Sequence, residues 1–240
     1  GTMRRICVIG VGYVGLVTGT CFADLGHQVT CVDVDESKIK KLRAGGLPIY
    51  EPGLEEMVRR NAQAGRLQFT SSYEEGLTNA EFAFIGVGTP QGSGGEADLQ
   101  YVRSAAKSIA KVMDHSLIIV NKSTVPIGTA RRLERIFKAN NVPNFGVASN
   151  PEFLAEGSAV NDLLNPDRVL IGSKETPEGV RARKAIAEIY ANWVPRERII
   201  ESNVWSSELS KLTANAFLAQ RVSSINAISA LCEKTEADVA

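Results

Sequence analysis

Residues 6–15 read Ile-Cys-Val-Ile-Gly-Val-Gly-Tyr-Val-Gly, an apolar strand running directly into Gly10-x-Gly12-x-x-Gly15. Each glycine has a steric task. Gly10 permits a tight turn, Gly12 admits a pyrophosphate to the backbone, and Gly15 lets the next helix pack closely on the strand. The phosphates would then rest on Val11, Gly12, Tyr13 and Val14, at the unpaired amides and positive end of that helix. Glycine-rich turns are common, so the motif is weak alone, but here a strand precedes it and an apolar-periodic helix follows. A second strand, Val29-Thr30-Cys31-Val32, ends on Asp33, about twenty residues after the glycines, where a carboxylate meets the hydroxyls of an adenosine ribose. Asp33 would repel a 2′-phosphate, so the pattern favours NAD over NADP.

Apolar runs at 5–9, 28–33, 66–70, 81–87, 116–121, 144–149, 168–172 and 197–201 read as strands. Amphipathic stretches at 14–25, 35–44, 54–63, 99–113, 128–140 and 177–191 read as helices. This alternation predicts an α/β fold: a doubly wound, largely parallel Rossmann-type sheet with helices on both faces. Ligands of such sheets bind beyond the carboxyl ends of the strands, where the loops Gly86–Gly95, Ser123–Gly128 and Asn150–Gly157 fall. The pattern changes near Asn203. Residues 206–231 lack Pro and Gly and carry apolar residues on more than one face, as expected of a long helix buried between two bodies. The division expected is therefore an expression remnant at 1–3, an NAD-binding domain at 4–202 and a central helical region at 203–240. Because the pattern stops at Ala240 without a cap, the chain is expected to be part of a longer protein.

With 27 basic and 27 acidic residues the formal charge is zero. That excludes the basic excess expected of a protein whose main partner is nucleic acid or an anionic membrane. No apolar run approaches membrane-spanning length. Cys7, Cys21, Cys31 and Cys232 are scattered, and Cys7 and Cys31 fall in expected core strands. Buried reduced thiols and a reducing cytoplasm fit that pattern. His27 and His115 lie near turns without metal-ligand neighbours, so surface or capping roles are expected and no metal site is.

Three further segments bear on chemistry. Val87-Gly88-Thr89-Pro90 ends the fourth strand, either as an ordinary turn or as a surface for a flat ligand. In Ser123-Thr124-Val125-Pro126-Ile127-Gly128-Thr129, Ser123 or Thr129 could cap the next helix, while the Thr124 hydroxyl could face the nicotinamide. In Asn150-Pro151-Glu152-Phe153-Leu154-Ala155-Glu156-Gly157, two carboxylates frame a Phe-Leu pair in a strand-edge loop or single helical turn. A carboxylate held there could act as general base towards water. In the expected long helix, Lys211 and Asn215 are spaced to share one face. An ammonium and an amide together could hold a hydroxyl and stabilise an alkoxide as hydride leaves.

Together, GVGYVGL at 10–16, DVDESKI at 33–39, PIYEPGL at 48–54, VGTP at 87–90, STVPIGT at 123–129, NPEFLAEG at 150–157, NPDRVLIG at 165–172 and SELSKLTANAFLAQR at 207–221 resemble the UDP-glucose 6-dehydrogenase family. The resemblance covers essentially every residue after the first three. It implies that Gly10 to Gly15, Asp33, Lys38, Val87, Thr89, Pro90, Ser123, Thr124 and Glu156 contact NAD. It also implies that Glu152, Phe153, Leu154, Ala155, Glu156, Lys211 and Asn215 face the sugar of UDP-glucose. Enzymes of this family oxidise the C6 alcohol twice, through a cysteine-bound thiohemiacetal and thioester. Lys211 and Asn215 would stabilise oxyanions, and Glu152 would activate the water that cleaves the thioester. The family nucleophile lies in a GGSCF-like segment that this sequence does not contain. The 240 residues are therefore expected to bind NAD without completing the four-electron reaction, and to associate as a homo-oligomer through 206–231. Two other readings remain: a β-hydroxyacid dehydrogenase, whose helix also bears Lys-x-x-x-Asn, and a non-catalytic NAD-binding or dimerisation module.

Overall fold

The run Ile6-Cys7-Val8-Ile9 is buried on both faces. Ile6 and Val8 join one hydrophobic cluster and Cys7 and Ile9 another, as in a parallel strand covered by helices on either side. In the computed structural model, which describes residues 2–95, 98–123, 125–206 and 208–210, this segment is strand β1 (Arg5–Ile9). The chain continues through α1 (Tyr13–Asp24), β2 (Gln28–Val32), α2 (Glu36–Arg43), α3 (Leu54–Gln63), β3 (Leu67–Thr70), α4 (Tyr73–Leu77) and β4 (Phe82–Ile85). It then forms α5 (Gln100–Val112), β5 (Ile118–Asn121), α6 (Ile127–Ala139), β6 (Gly146–Ser149), α7 (Ala159–Leu164), β7 (Val169–Ser173), α8 (Pro177–Tyr190) and β8 (Ile199–Ser202). The eight strands lie in the order β3-β2-β1-β4-β5-β6-β7-β8. Every expected strand is present, and the doubly wound α/β architecture is the one that the alternation implies.

One core packs α1, α2, α3, α7 and α8 on one face of the sheet, centred on Phe22 and on Phe82 and Phe84 of β4. The other packs α4, α5 and α6 on the opposite face, with Ile85, Ile109 and Phe137. Burying one large apolar side chain contributes about 1.5–3 kcal/mol, so both layers weigh heavily in stability. Cys7, Cys21 and Cys31 are buried free thiols, and burial pushes the thiols of Cys21 and Cys31 up to about 12.

Three features depart from expectation. The short helices α4 and α7 were not foreseen, because five or six residues are too few to display a helical period. β7 pairs antiparallel with β6, and β8 runs parallel to β7. A strand buried on both faces reads alike in either direction, so the sequence carried no sign of the reversal. It brings the amino end of β7 to the edge where β6 ends. The third concerns His27, expected at the surface or in a cap. It is buried at 3% exposure, and its Nδ1 accepts the Arg4 amide at 3.0 Å, pinning the chain entering β1. The expected helix 206–231 falls almost wholly outside the described residues, of which Glu208–Ser210 are helical.

Candidate functional site

Helix α1 starts differently from three others. Asp35, Ser72 and Thr176 cap α2, α4 and α8 with side-chain oxygens. α1 begins at Gly12 with no side-chain cap and no acidic residue in its first turn. A positive helix end of this kind can take an external anion; α5 and α6 also start without a side-chain cap or an early acidic residue, so it is the adjoining glycines and Asp33 that set α1 apart. The glycines explain how this turn is built. Gly10 has φ +104°, and a Cβ there would lie 2.9 Å from the Gly86 carbonyl oxygen. A Cβ on Gly15 would come within 2.0 Å of the Gly10 oxygen. At Gly12 a Cβ would meet nothing within 4 Å, so that position is open to a ligand.

Asp33 stands beside this turn. One carboxylate oxygen accepts the Val11 amide at 2.9 Å and the other the Asp35 amide at 2.9 Å. Each oxygen keeps a further lone pair, suited to vicinal ribose hydroxyls. An open glycine, an uncapped helix end and a fixed, half-buried carboxylate fit a dinucleotide. Tyr13 and Val14 are half-buried in the first turn of α1. Lys38 is half-buried in the first turn of α2, and its amide donates to Asp35.

The remaining expected loops meet at the same edge. Val87, Thr89 and Pro90 follow β4, and Ser123 follows β5; the Ser123 hydroxyl donates to the Val87 carbonyl at 3.2 Å. Thr124, Lys211 and Asn215 lie outside the described residues. After β6, Pro151–Ala155 form a loop rather than a helical turn. Glu152 turns back to accept the Leu154 amide at 2.6 Å. Phe153 is 48% exposed, with the Arg168 guanidinium 5.0 Å from its ring centroid. The Leu154 side chain is buried, while Ala155 and Glu156 are exposed.

This loop is joined to the glycine turn. The Tyr13 hydroxyl donates to the Leu154 carbonyl at 3.2 Å. Burial, then the charges of Glu152, Glu156 and Glu51, raise the Tyr13 pKa and keep that donor protonated. Sequence reasoning missed Glu51, which sits in PIYEPGL. Its buried carboxylate accepts the Gly157 amide at 2.9 and 3.1 Å and the Ala159 amide at 3.4 Å.

It also missed a cleft of about 420 Å³ lined by Lys122, Asn150, Glu152, Phe153, Arg168 and Tyr190, among others. Lys122 is 3% exposed. Its ammonium donates to Asn150 Oδ1 at 3.1 Å and to the Tyr190 hydroxyl at 3.2 Å. That hydroxyl donates in turn to Asn150 Oδ1 at 2.6 Å. Burial lowers the Lys122 pKa to about 8, opposed by the negative charge of Glu152. The available signal was a lysine two residues after the apolar run Ile118-Ile119-Val120, separated from it only by Asn121.

Residues 4–194 match the UDP-glucose/GDP-mannose dehydrogenase family, NAD binding domain, and residues 205–240 match the central domain of the same family. The UDP-glucose 6-dehydrogenase of Bos taurus is 51% identical over 246 residues, covering 99% of this chain and 50% of that protein. The enzyme of the same name from Pseudomonas aeruginosa is 49% identical, covering 98% of this chain and 52% of that protein. Among solved structures, a UDP-glucose dehydrogenase from the hyperthermophilic archaeon Pyrobaculum islandicum superposes with a TM-score of 0.78 at 40% identity. That match covers 91% of this chain and 50% of that one. The chain thus spans about half the length of the curated relatives it matches. It belongs to the UDP-glucose/GDP-mannose dehydrogenase family and carries that family's NAD-binding domain.

Proposed function

We propose that this chain forms the NAD-binding half of an enzyme that oxidises the C6 alcohol of UDP-glucose to the carboxylate of UDP-glucuronate. The observation that carries this reading is the joining of two sites on one sheet edge. The open glycine turn with Asp33 is tied to the Glu152 loop through the Tyr13–Leu154 hydrogen bond. UDP-glucose as substrate is supported by identity near one half to enzymes of that name. NAD, when bound, would supply the hydride acceptor, and taking the alcohol to the carboxylate level would consume two NAD in succession. Gly10, Gly12 and Gly15 shape the pyrophosphate cradle, and Asp33 holds the adenosine ribose. Val87–Pro90, Ser123, Thr124 and Glu156 border the nicotinamide half. Glu152 takes a proton from water in the hydrolytic step, and Lys211 and Asn215 hold the substrate hydroxyl and stabilise its oxyanion.

The same reading divides the chain into a 4–202 cofactor domain and a 203–240 central region that associates with a second copy through 206–231. Buried reduced thiols support a cytoplasmic setting. Among the described residues, no helix is long and apolar enough to cross a membrane. Titration calorimetry of the chain with NAD, NADP and UDP-glucose tests the reading. NAD should bind more tightly than NADP, with little or no heat from UDP-glucose, and Asp33→Ala should weaken NAD at least about tenfold, the loss of a charge-assisted contact. Equal affinity for both cofactors, or an unchanged Asp33→Ala variant, would overturn the ribose assignment.

A further inference from the structure

Lys122 is an unusual group to bury. The residue is 3% exposed, and among the described residues its two hydrogen-bond partners, Asn150 and Tyr190, are both neutral. An ammonium has three donors, and among the described residues two of them are used. Burying a charge without a bonded counter-charge is costly, and such groups cluster where a site uses their field. Three elements meet around it: the start of the loop 150–157, helix α8 through Tyr190, and the segment entering β7. The charged groups lining the same cleft are Glu152, Asp162, Asp167 and Arg168.

We infer that Lys122 is a positioning residue for Glu152: it anchors the Asn150 side chain at the start of the loop and sets a fixed positive charge behind the carboxylate. The anchoring is geometric. Asn150 Oδ1 accepts from both Lys122 and Tyr190, while its Nδ2 donates to the Leu170 carbonyl at 3.0 Å. The turn that launches Glu152 is therefore held from three sides. The electrostatic part follows from burial. The buried ammonium and the Glu152 carboxylate line one cleft, and the charge of Glu152 acts on Lys122, so the two charges are coupled. This rests on the reading of Glu152 as the base towards water.

The test is an NMR titration of Lys122 through its side-chain ¹³Cε in the wild-type chain and in Glu152→Gln, Asp162→Asn and Asp167→Asn. Glutamine can still accept the Leu154 amide, so the loop keeps its bond while losing the charge. The Lys122 midpoint should fall in Glu152→Gln by about half a pH unit or more, as expected for removing a nearby unit charge. The two aspartate variants should change it less. An unmoved midpoint in Glu152→Gln, or an equal shift in either aspartate variant, would overturn the inference. Calorimetry with NAD on the same samples separates the two readings. Failure of the wild-type chain to bind NAD would count against the proposed function, while the titration alone decides the Lys122–Glu152 coupling.

Discussion

A methyl group at Gly15 would lie 2.0 Å from the Gly10 carbonyl oxygen, whereas one at Gly12 would meet nothing within 4 Å. Gly12 also has an ordinary φ of −69°, so neither packing nor backbone requires glycine there. Gly15→Ala should therefore destabilise the chain by at least about 2 kcal/mol in urea unfolding, through overpacking against backbone. Gly12→Ala should leave the thermal midpoint within about 2 °C and still weaken NAD by an order of magnitude or more. Reversal of those two outcomes would contradict the assignment of one glycine to packing and the other to the ligand. His27 supplies a pH prediction. Burial first, then the charge of Arg4, lowers its pKa below the ordinary value of 6.5. The unfolded chain thus binds the proton more readily, and stability is lost as pH falls from about 6.5 towards the lower folded value. In His27→Asn, which keeps an acceptor for the Arg4 amide, the decline in melting temperature between pH 7 and 5 should be shallower; an identical slope would count against it. The tight turn at Gly10 and the close packing at Gly15 were legible in the sequence, because both are steric demands of the motif. The burial of His27 was not, since its partner Arg4 lies 23 positions away.

At the scale of elements, the helix starts differ in how they are closed. Asp35, Ser72 and Thr176 close their helices with their own side chains, and α1 is left open. Each strand could be read from a short apolar run, because both faces of the sheet are covered. The direction of β7 could not, and neither could the clasp that Glu51 forms on a loop 106 positions later. In sequence, Glu51 was only one letter in PIYEPGL. Its two oxygens receive amides from Gly157 and Ala159. Glu51→Gln turns one acceptor into a donor facing those amides. The cost should be about 1–3 kcal/mol, felt locally. Hydrogen exchange at Gly157 and Ala159 should accelerate accordingly, while β1 and β4 amides keep their protection. Unchanged exchange at both positions would mean that Glu51 does not hold the loop.

At the scale of the whole molecule, strand order reverses between β1 and β4. The chain leaves β1 towards one face of the sheet and β4 towards the other, opening a crevice at their carboxyl ends. The glycine turn, Asp33 and the loops after β4, β5 and β6 all lie at that edge. The opposite edge carries Arg5, Asn79 and His115 and none of the described site residues. NAD should therefore bind at the carboxyl edge and nowhere else, which amide chemical-shift mapping can show residue by residue. NAD added to the labelled chain should shift Val11, Gly12, Tyr13, Val14, Asp33 and the Val87–Thr89 segment, while Arg5, Asn79 and His115 stay in place. Shifts confined to Arg5, Asn79 and His115, or an unchanged spectrum at saturating NAD, would contradict it.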